Sequence, residues 1–231
     1  MKKLGVLGGM GPAASAEFMV RLTKLTPANK DQDHIPTILW SDPRVPDRNL
    51  SIQRNNDFPL PWLINGIKGL QKAECDHIVI PCNTAHFWYG DLISLGTPIT
   101  HIVDSVEESL IEANAQIKII GVMGTQATLN IGLYQNRLMS KGWNCIIPDQ
   151  QDIDNYIQPA INLIKAGNLS DAESLLRIAI QKLIKKGAQI IVLGCTELPL
   201  ALTQNTEMGV ILINSIDSLV NSTLKLFDKK Q

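Results

Sequence analysis

Short runs of apolar residues, three to six long, alternate along this chain with longer stretches in which apolar positions recur every three or four residues. The short runs predict strands and the longer stretches helices. Strands are expected over residues 3–7, 37–40, 77–80, 98–103, 118–123, 144–147, 189–193 and 210–213. Helices are expected over 13–25, 60–73, from Asp104-Ser105 onward, and over 126–141, 153–166 and 215–228. One more is opened by Ser170-x-x-Glu173, read as a capping box. Pro12 suits a first helical turn, Gly167 a helix end, and Gly66 and Gly69 weaken the helix that contains them.

The alternation runs twice. Gly5 and Gly121 are 116 residues apart (121 − 5), Cys82 and Cys195 are 113 apart (195 − 82), and Asp104-Ser105 and Asp217-Ser218 are again 113 apart. The glycine-rich openings align in two ways, since Gly8, Met10 and Gly11 also match Gly121, Met123 and Gly124 at 113, so a repeat is established without a residue-level register. Strands alternating with helices in each half predict an α/β fold of two pseudo-symmetric lobes. Each lobe is a parallel β-sheet flanked by helices, with the active site expected in the cleft between them, off the carboxyl ends of the strands.

Composition narrows the function without naming it. With 231 residues, 45% of them hydrophobic, and a formal net charge of -1, the chain has core enough for one large or two smaller domains. No basic tract calls for nucleic acid or an anionic membrane, and no apolar run is long enough to span a bilayer. The start of the chain enters a strand without a signal-peptide pattern, so a cytoplasmic location is expected. Cys75, Cys82, Cys145 and Cys195 contain no C-x-x-C pair and read as free thiols. Lys225, Lys229 and Lys230 read as a solvated helix end.

Two cysteines stand apart. In Ile80-Pro81-Cys82-Asn83-Thr84-Ala85-His86 and Leu193-Gly194-Cys195-Thr196-Glu197-Leu198-Pro199 an apolar strand ends in a thiol, with Thr close behind where a helix begins. A helix N-terminus favours the thiolate. Two opposed thiols suit inversion at an acidic C–H carbon: one removes the proton from one face and the other delivers a proton to the opposite face. The positions Asn83, Thr84, Thr125, Thr196 and Glu197 offer candidate hydroxyl and backbone N–H donors around the substrate carboxylate, and Arg48 a bidentate clamp for a second carboxylate. Cys75 and Cys145 have no such setting and are structural. His86 and His101 read as local hydrogen-bonders, and Asp104 and Asp217 as N-caps. No metal site is expected.

Four segments in order, Gly8-Gly9-Met10-Gly11-Pro12, residues 42–48 (Asp-Pro-Arg-Val-Pro-Asp-Arg), the Cys82 motif and the Cys195 motif, resemble the pyridoxal-phosphate-independent aspartate/glutamate racemase family, close to its aspartate racemases. The resemblance implies a cofactor-free amino-acid racemase in which Cys82 serves the D-enantiomer and Cys195 the L-enantiomer. It implies that Arg48 holds the side-chain carboxylate, that Lys165 assists from the second lobe, and that Met10 joins the substrate-binding residues. It also implies a homodimer, and a closing strand and helix that return to the first lobe: residues 1–98 with 210–231 form one lobe and 99–209 the other. Glutamate racemases carry an early Asp-Ser-Gly and a Cys-Thr-His second motif; here Glu197 replaces that His, which favours aspartate and leaves glutamate open. Three rival readings stand. Gly9-x-Gly11-x-x-Ala14 with Asp42 is a partial dinucleotide fingerprint. The same cleft also suits a non-catalytic binder of acidic amino acids, or a related racemase, isomerase or decarboxylase acting on another small acid.

Overall fold

The computed structural model of the chain describes residues 2–113, 116–204 and 206–228. It divides into two compact units, one running to Ser105 and resuming at Ile216, the other Val106–Ser215.

The first unit holds β1 (Leu4–Gly8), α1 (Pro12–Leu25), β2 (Thr37–Ser41), α2 (Arg48–Gln53), α3 (Leu60–Lys72) and β3 (His77–Val79). A 3-10 turn, Thr84–Trp88, α4 (Tyr89–Ile93), β4 (Ile99–Thr100) and the start of α5 (Ile102–Ala113) follow. Its four strands are all parallel in the order β2-β1-β3-β4. Leu4, Val6, Ile78 and Val79 are fully buried, as parallel strands covered on both faces require.

Gly66 and Gly69 do more than weaken α3. A Cβ at Gly66 would lie 2.3 Å from Leu7, and one at Gly69 2.3 Å from the Trp40 ring. The two glycines bring α3 down onto β1 and β2, and Trp40 fills the space a side chain would take.

The second unit holds β5 (Ile119–Met123), α6 (Gln126–Asn130), α7 (Leu133–Met139), β6 (Asn144–Ile146) and α8 (Gln150–Asp152). A π-turn over Ile153–Ile157 leads to α9 (Gln158–Lys165), α10 (Leu169–Lys185), β7 (Ile190–Leu193), α11 (Leu198–Ala201), β8 (Thr206–Glu207) and β9 (Val210–Asn214). The last helix, α12 (Ser215–Phe227), lies beyond the division and belongs almost wholly to the first unit. The sheet order is β6-β5-β7-β9-β8, parallel except for the β8–β9 edge.

Apart from that edge strand, the two sheets have the same order, with β3 and β7 in equivalent places. The packing fixes the register. A Cβ at Gly5 would meet Cys75, Ile78 and Leu70 at 3.1–3.2 Å; one at Gly121 would meet Ala188, Ile191 and Leu183 at 3.0–3.4 Å. Each neighbour of Gly121 lies 113 residues beyond its counterpart (188 − 75, 191 − 78, 183 − 70), so Gly5 matches Gly121 and the first strand alone carries the offset of 116.

Several expectations change. The strand read over 98–103 is only β4, and it pairs with β3 in the first sheet; the closing strand β9 pairs with β7 in the second. Each half supplies its own fourth strand, so the expected boundaries at 98 and 209 give way to 105 and 215, and only α12 returns. The helix expected over 126–141 breaks at Gly132, whose φ of 66° is left-handed. α10 begins at Leu169 with Asn168 as its cap, Oδ1 accepting from Asp171 N at 3.3 Å, so Ser170-x-x-Glu173 lies inside the helix and is no capping box. Glu173 instead pairs with Arg177 one turn on. Asp104 and Asp217 sit in the first turns of α5 and α12, not at caps, and Asp217 forms an ion pair with Arg21 of α1. Lys229 and Lys230 lie outside the described residues. No helix among the described residues is long and apolar enough to cross a membrane.

Candidate active site

In the first unit three loops leave the carboxyl ends of β1, β2 and β3. After β1, Ser15 Oγ accepts from Gly9 N at 2.9 Å and donates to Gly11 O at 2.8 Å, tying the glycine turn to α1. Gly9 has φ 91°, and a Cβ there would lie 2.4 Å from the Asp42 backbone. The glycine turn thus packs against the loop after β2. Met10, 2% exposed, is buried in the same apolar cluster as Cys82, Val45 and Trp88.

The loop after β2 sorts its two arginines. Arg44 forms a bidentate pair with Asp42 at 2.9 Å and lies over the Trp62 ring. This pairing holds the Asp42 carboxyl below its ordinary range. Arg48 forms no such pair: its Nη1 donates to Val45 O at 3.0 Å and Pro46 O at 2.9 Å, and its buried Nε has no partner among the described residues. Asp47 caps α2 through Leu50 N at 2.8 Å. The guanidinium is therefore oriented by the backbone of its own proline loop, and one buried donor is left unused among the described residues.

Cys82 follows β3 and is 5% exposed; Asn83, Thr84 and His86 behind it are also buried. His86 Nε2 lies 3.2 Å from Ile102 N, which has only a proton to offer, so Nε2 accepts and the proton of this ring is on Nδ1. Nδ1–H then donates to Cys82 O at 2.9 Å. The His101 ring meets His86 edge-on at 4.7 Å, and His101 Nδ1 accepts from Val103 N at 3.2 Å.

In the second unit Thr125 follows β5 and caps α6, accepting from Thr128 N at 3.3 Å. Cys195 follows β7 and is 4% exposed. Its thiol donates to Glu197 Oε2 at 3.0 Å, with Glu197 and Thr196 buried beside it. Gly194 is required here: a Cβ would lie 2.7 Å from the Tyr134 ring and 2.9 Å from Met123 O. The Tyr134 hydroxyl is bonded to Ser215, whose Oγ donates to Leu193 O at 2.8 Å, so the end of β7 is braced on two sides. Burial, foremost, pushes the Tyr134 phenol up and keeps it neutral. Sequence reasoning missed this brace; the repeat offered its one signal, in that Gly194 stands where the first half has Pro81.

Lys165 lies exposed in the last turn of α9. The helices that follow the two cysteines are short, a five-residue 3-10 turn and the four residues of α11. The expected helix dipole is accordingly weak, and Glu197 bears directly on the Cys195 thiol. Cys75 is buried and Cys145 partly buried, neither with such a partner, and burial pushes both thiols up, Cys145 to about 11. None of the four cysteines forms a disulfide, and among the described residues no group of His, Cys, Asp and Glu is arranged to hold a metal.

Comparison with known proteins agrees with this arrangement. A broad-specificity amino-acid racemase of Bacillus subtilis, RacX, is 30% identical over 97% of both chains. The solved aspartate racemase of Picrophilus torridus is 29% identical and superposes with a TM-score of 0.83 over 98% of this chain and 94% of its own. A glutamate racemase of Francisella tularensis, solved with D-glutamate, shares the fold at a TM-score of 0.72 and 19% identity, over 97% of this chain and 80% of its own. The family model for Asp/Glu/hydantoin racemases matches residues 7–223. The chain belongs to the Asp/Glu/hydantoin racemase family.

Proposed function

We propose that this racemase interconverts the L- and D-forms of an acidic amino acid, aspartate in the first place, with Cys82 and Cys195 as its two bases and no cofactor. The observation that carries the reading is the Cys195 thiol held at 3.0 Å on the buried Glu197 carboxylate at the end of β7. Glu197 takes the thiol proton, and the Cys195 thiolate removes the α-hydrogen of the L-enantiomer. The electron pair is held at the α-carbon and spread into its carboxylate, where Asn83, Thr84, Thr125 and Thr196 donate. The Cys82 thiol then delivers its proton to the other face, leaving a thiol at Cys195 and a thiolate at Cys82. Arg48 holds the side-chain carboxylate, Met10 packs beside the substrate, and Lys165 supports the substrate from the second unit. Substrate enters from a soluble, cytoplasmic pool, and the enzyme works as a homodimer.

Glu197, in place of a second-motif His, and the likeness to the Picrophilus aspartate racemase favour aspartate over glutamate. A second reading, activity on a wider set of amino acids, is favoured by the likeness to RacX over nearly the whole chain. Chiral chromatography of a panel of amino acids in deuterated water tests both. Inversion of aspartate with uptake of one deuterium at the α-carbon is expected. Binding of aspartate without exchange would sink the racemase mechanism, and faster inversion of neutral or basic amino acids would select the second reading.

A further inference from the structure

Among the described residues, four buried polar side-chain atoms lack a hydrogen-bond partner, and two of them, Arg48 Nε and Asn49 Oδ1, belong to consecutive residues at the start of α2. Of the other two, Gln135 Oε1 belongs to an amide that already donates through Nε2 to Leu129 O at 2.9 Å, and Ser105 Oγ is a hydroxyl able to turn. A buried polar atom left unpaired costs enough that native chains rarely keep one without a use for it. α2 packs against the 3-10 turn that starts two residues after Cys82, so the helix that carries both residues neighbours the Cys82 motif.

The two atoms have opposite needs. A guanidinium N–H can only donate, and an amide oxygen can only accept. An acidic amino acid offers two carboxylates, which only accept, and one ammonium, which only donates. The carboxylate is met by Arg48, and the buried oxygen of Asn49 is met by the ammonium. On the reading that the substrate is an acidic amino acid, we infer that Asn49 is a substrate-binding residue that holds the α-ammonium group through Oδ1. Asn49 thereby separates amino acids from dicarboxylates that lack the nitrogen. Its neutrality matters for turnover: it keeps the nitrogen protonated and electron-withdrawing, which acidifies the α-hydrogen, without placing a negative charge beside the carbanion.

Calorimetry with L-aspartate and with succinate, which is aspartate without its nitrogen, tests this on the wild type, Asn49→Ala and Asn49→Asp. Asn49→Ala is expected to weaken aspartate binding about 10- to 100-fold, the worth of a hydrogen bond to a charged group, and to leave succinate within about twofold. Asn49→Asp keeps an acceptor oxygen, so aspartate binding is retained while succinate is repelled. Retained succinate binding by Asn49→Ala also shows that the variant is folded. Equal weakening of both ligands by Asn49→Ala, or no weakening of either, overturns the inference while the acidic-substrate reading stands. A wild type that binds neither ligand overturns that reading itself.

Discussion

The ends of β3 and β7 occupy equivalent places in two sheets of the same order, yet they treat their cysteines differently. At Cys195 the chain acts on the sulfur: Glu197 accepts the thiol proton, and Tyr134 closes over Gly194. At Cys82 it acts on the backbone: His86 clamps the carbonyl oxygen and reaches across to α5. A duplicated scaffold has kept the position of the thiol and changed the side chain set behind it. The half with the glutamate sets a carboxylate against its thiol, and the half with the histidine holds the peptide plane behind its cysteine.

Removing each sulfur should have the largest effect. Cys82→Ala and Cys195→Ala are each expected to stop interconversion, a loss of about a thousandfold or more, with circular dichroism and melting temperature unchanged. Full residual turnover in either would refute the two-base scheme. Glu197→Gln tests the asymmetry directly. It is expected to lower kcat about 10- to 100-fold and to slow α-deuterium exchange from the L-enantiomer more than from the D-enantiomer. Equal slowing in both would mean that the carboxylate serves the fold and not one sulfur.

Arg48→Lys is expected to raise KM for dicarboxylic substrates about tenfold while hardly moving the melting temperature, because a lysine cannot reproduce the two-toothed grip. Unchanged kinetics would remove Arg48 from the site. Gly194→Ala, by contrast, should cost about 1–3 kcal/mol of stability in urea unfolding, since its Cβ would meet both a ring and a carbonyl.

The smallest effect concerns acid. His77 at the start of β3 bonds Thr100 of β4 at 2.7 Å, while the matching position of β7 is Ile190. Burial, and then the nearby Lys2 charge, lower the His77 pKa from its ordinary 6.5, so the unfolded chain takes up this proton first. Stability from this group is complete above about pH 6.5 and is lost as the pH falls through the folded-state value. His77→Gln should flatten the stability profile of the first unit below pH 6.5, and an unchanged slope would assign the acid response elsewhere.

Much of this was legible in the sequence because it rests on local pattern. Buried strands announce themselves as apolar runs, and the two cysteine motifs stand where those runs stop. The pairing of β9 was not legible, because an isolated apolar strand does not say which sheet edge awaits it. Nor was the cap of α10: Asn168 and Ser170 are both good caps, and only the Asn168 side chain reaches a free N–H. The glycines of α3 looked like weakness because the residue that needs them, Trp40, lies 26 and 29 positions earlier in the chain (66 − 40 and 69 − 40). Cys75, expected to be structural, fills the place that Ala188 fills in the other half.

The division at Ser105 and Ser215 also sets an order of events during synthesis. Because the first unit resumes only with α12, its Arg21 waits for Asp217, whereas every strand of the second sheet has already been made by Asn214. Chains usually fold from the N-terminus as they leave the ribosome. Here the later half can close first, and the earlier half is finished only when α12 emerges.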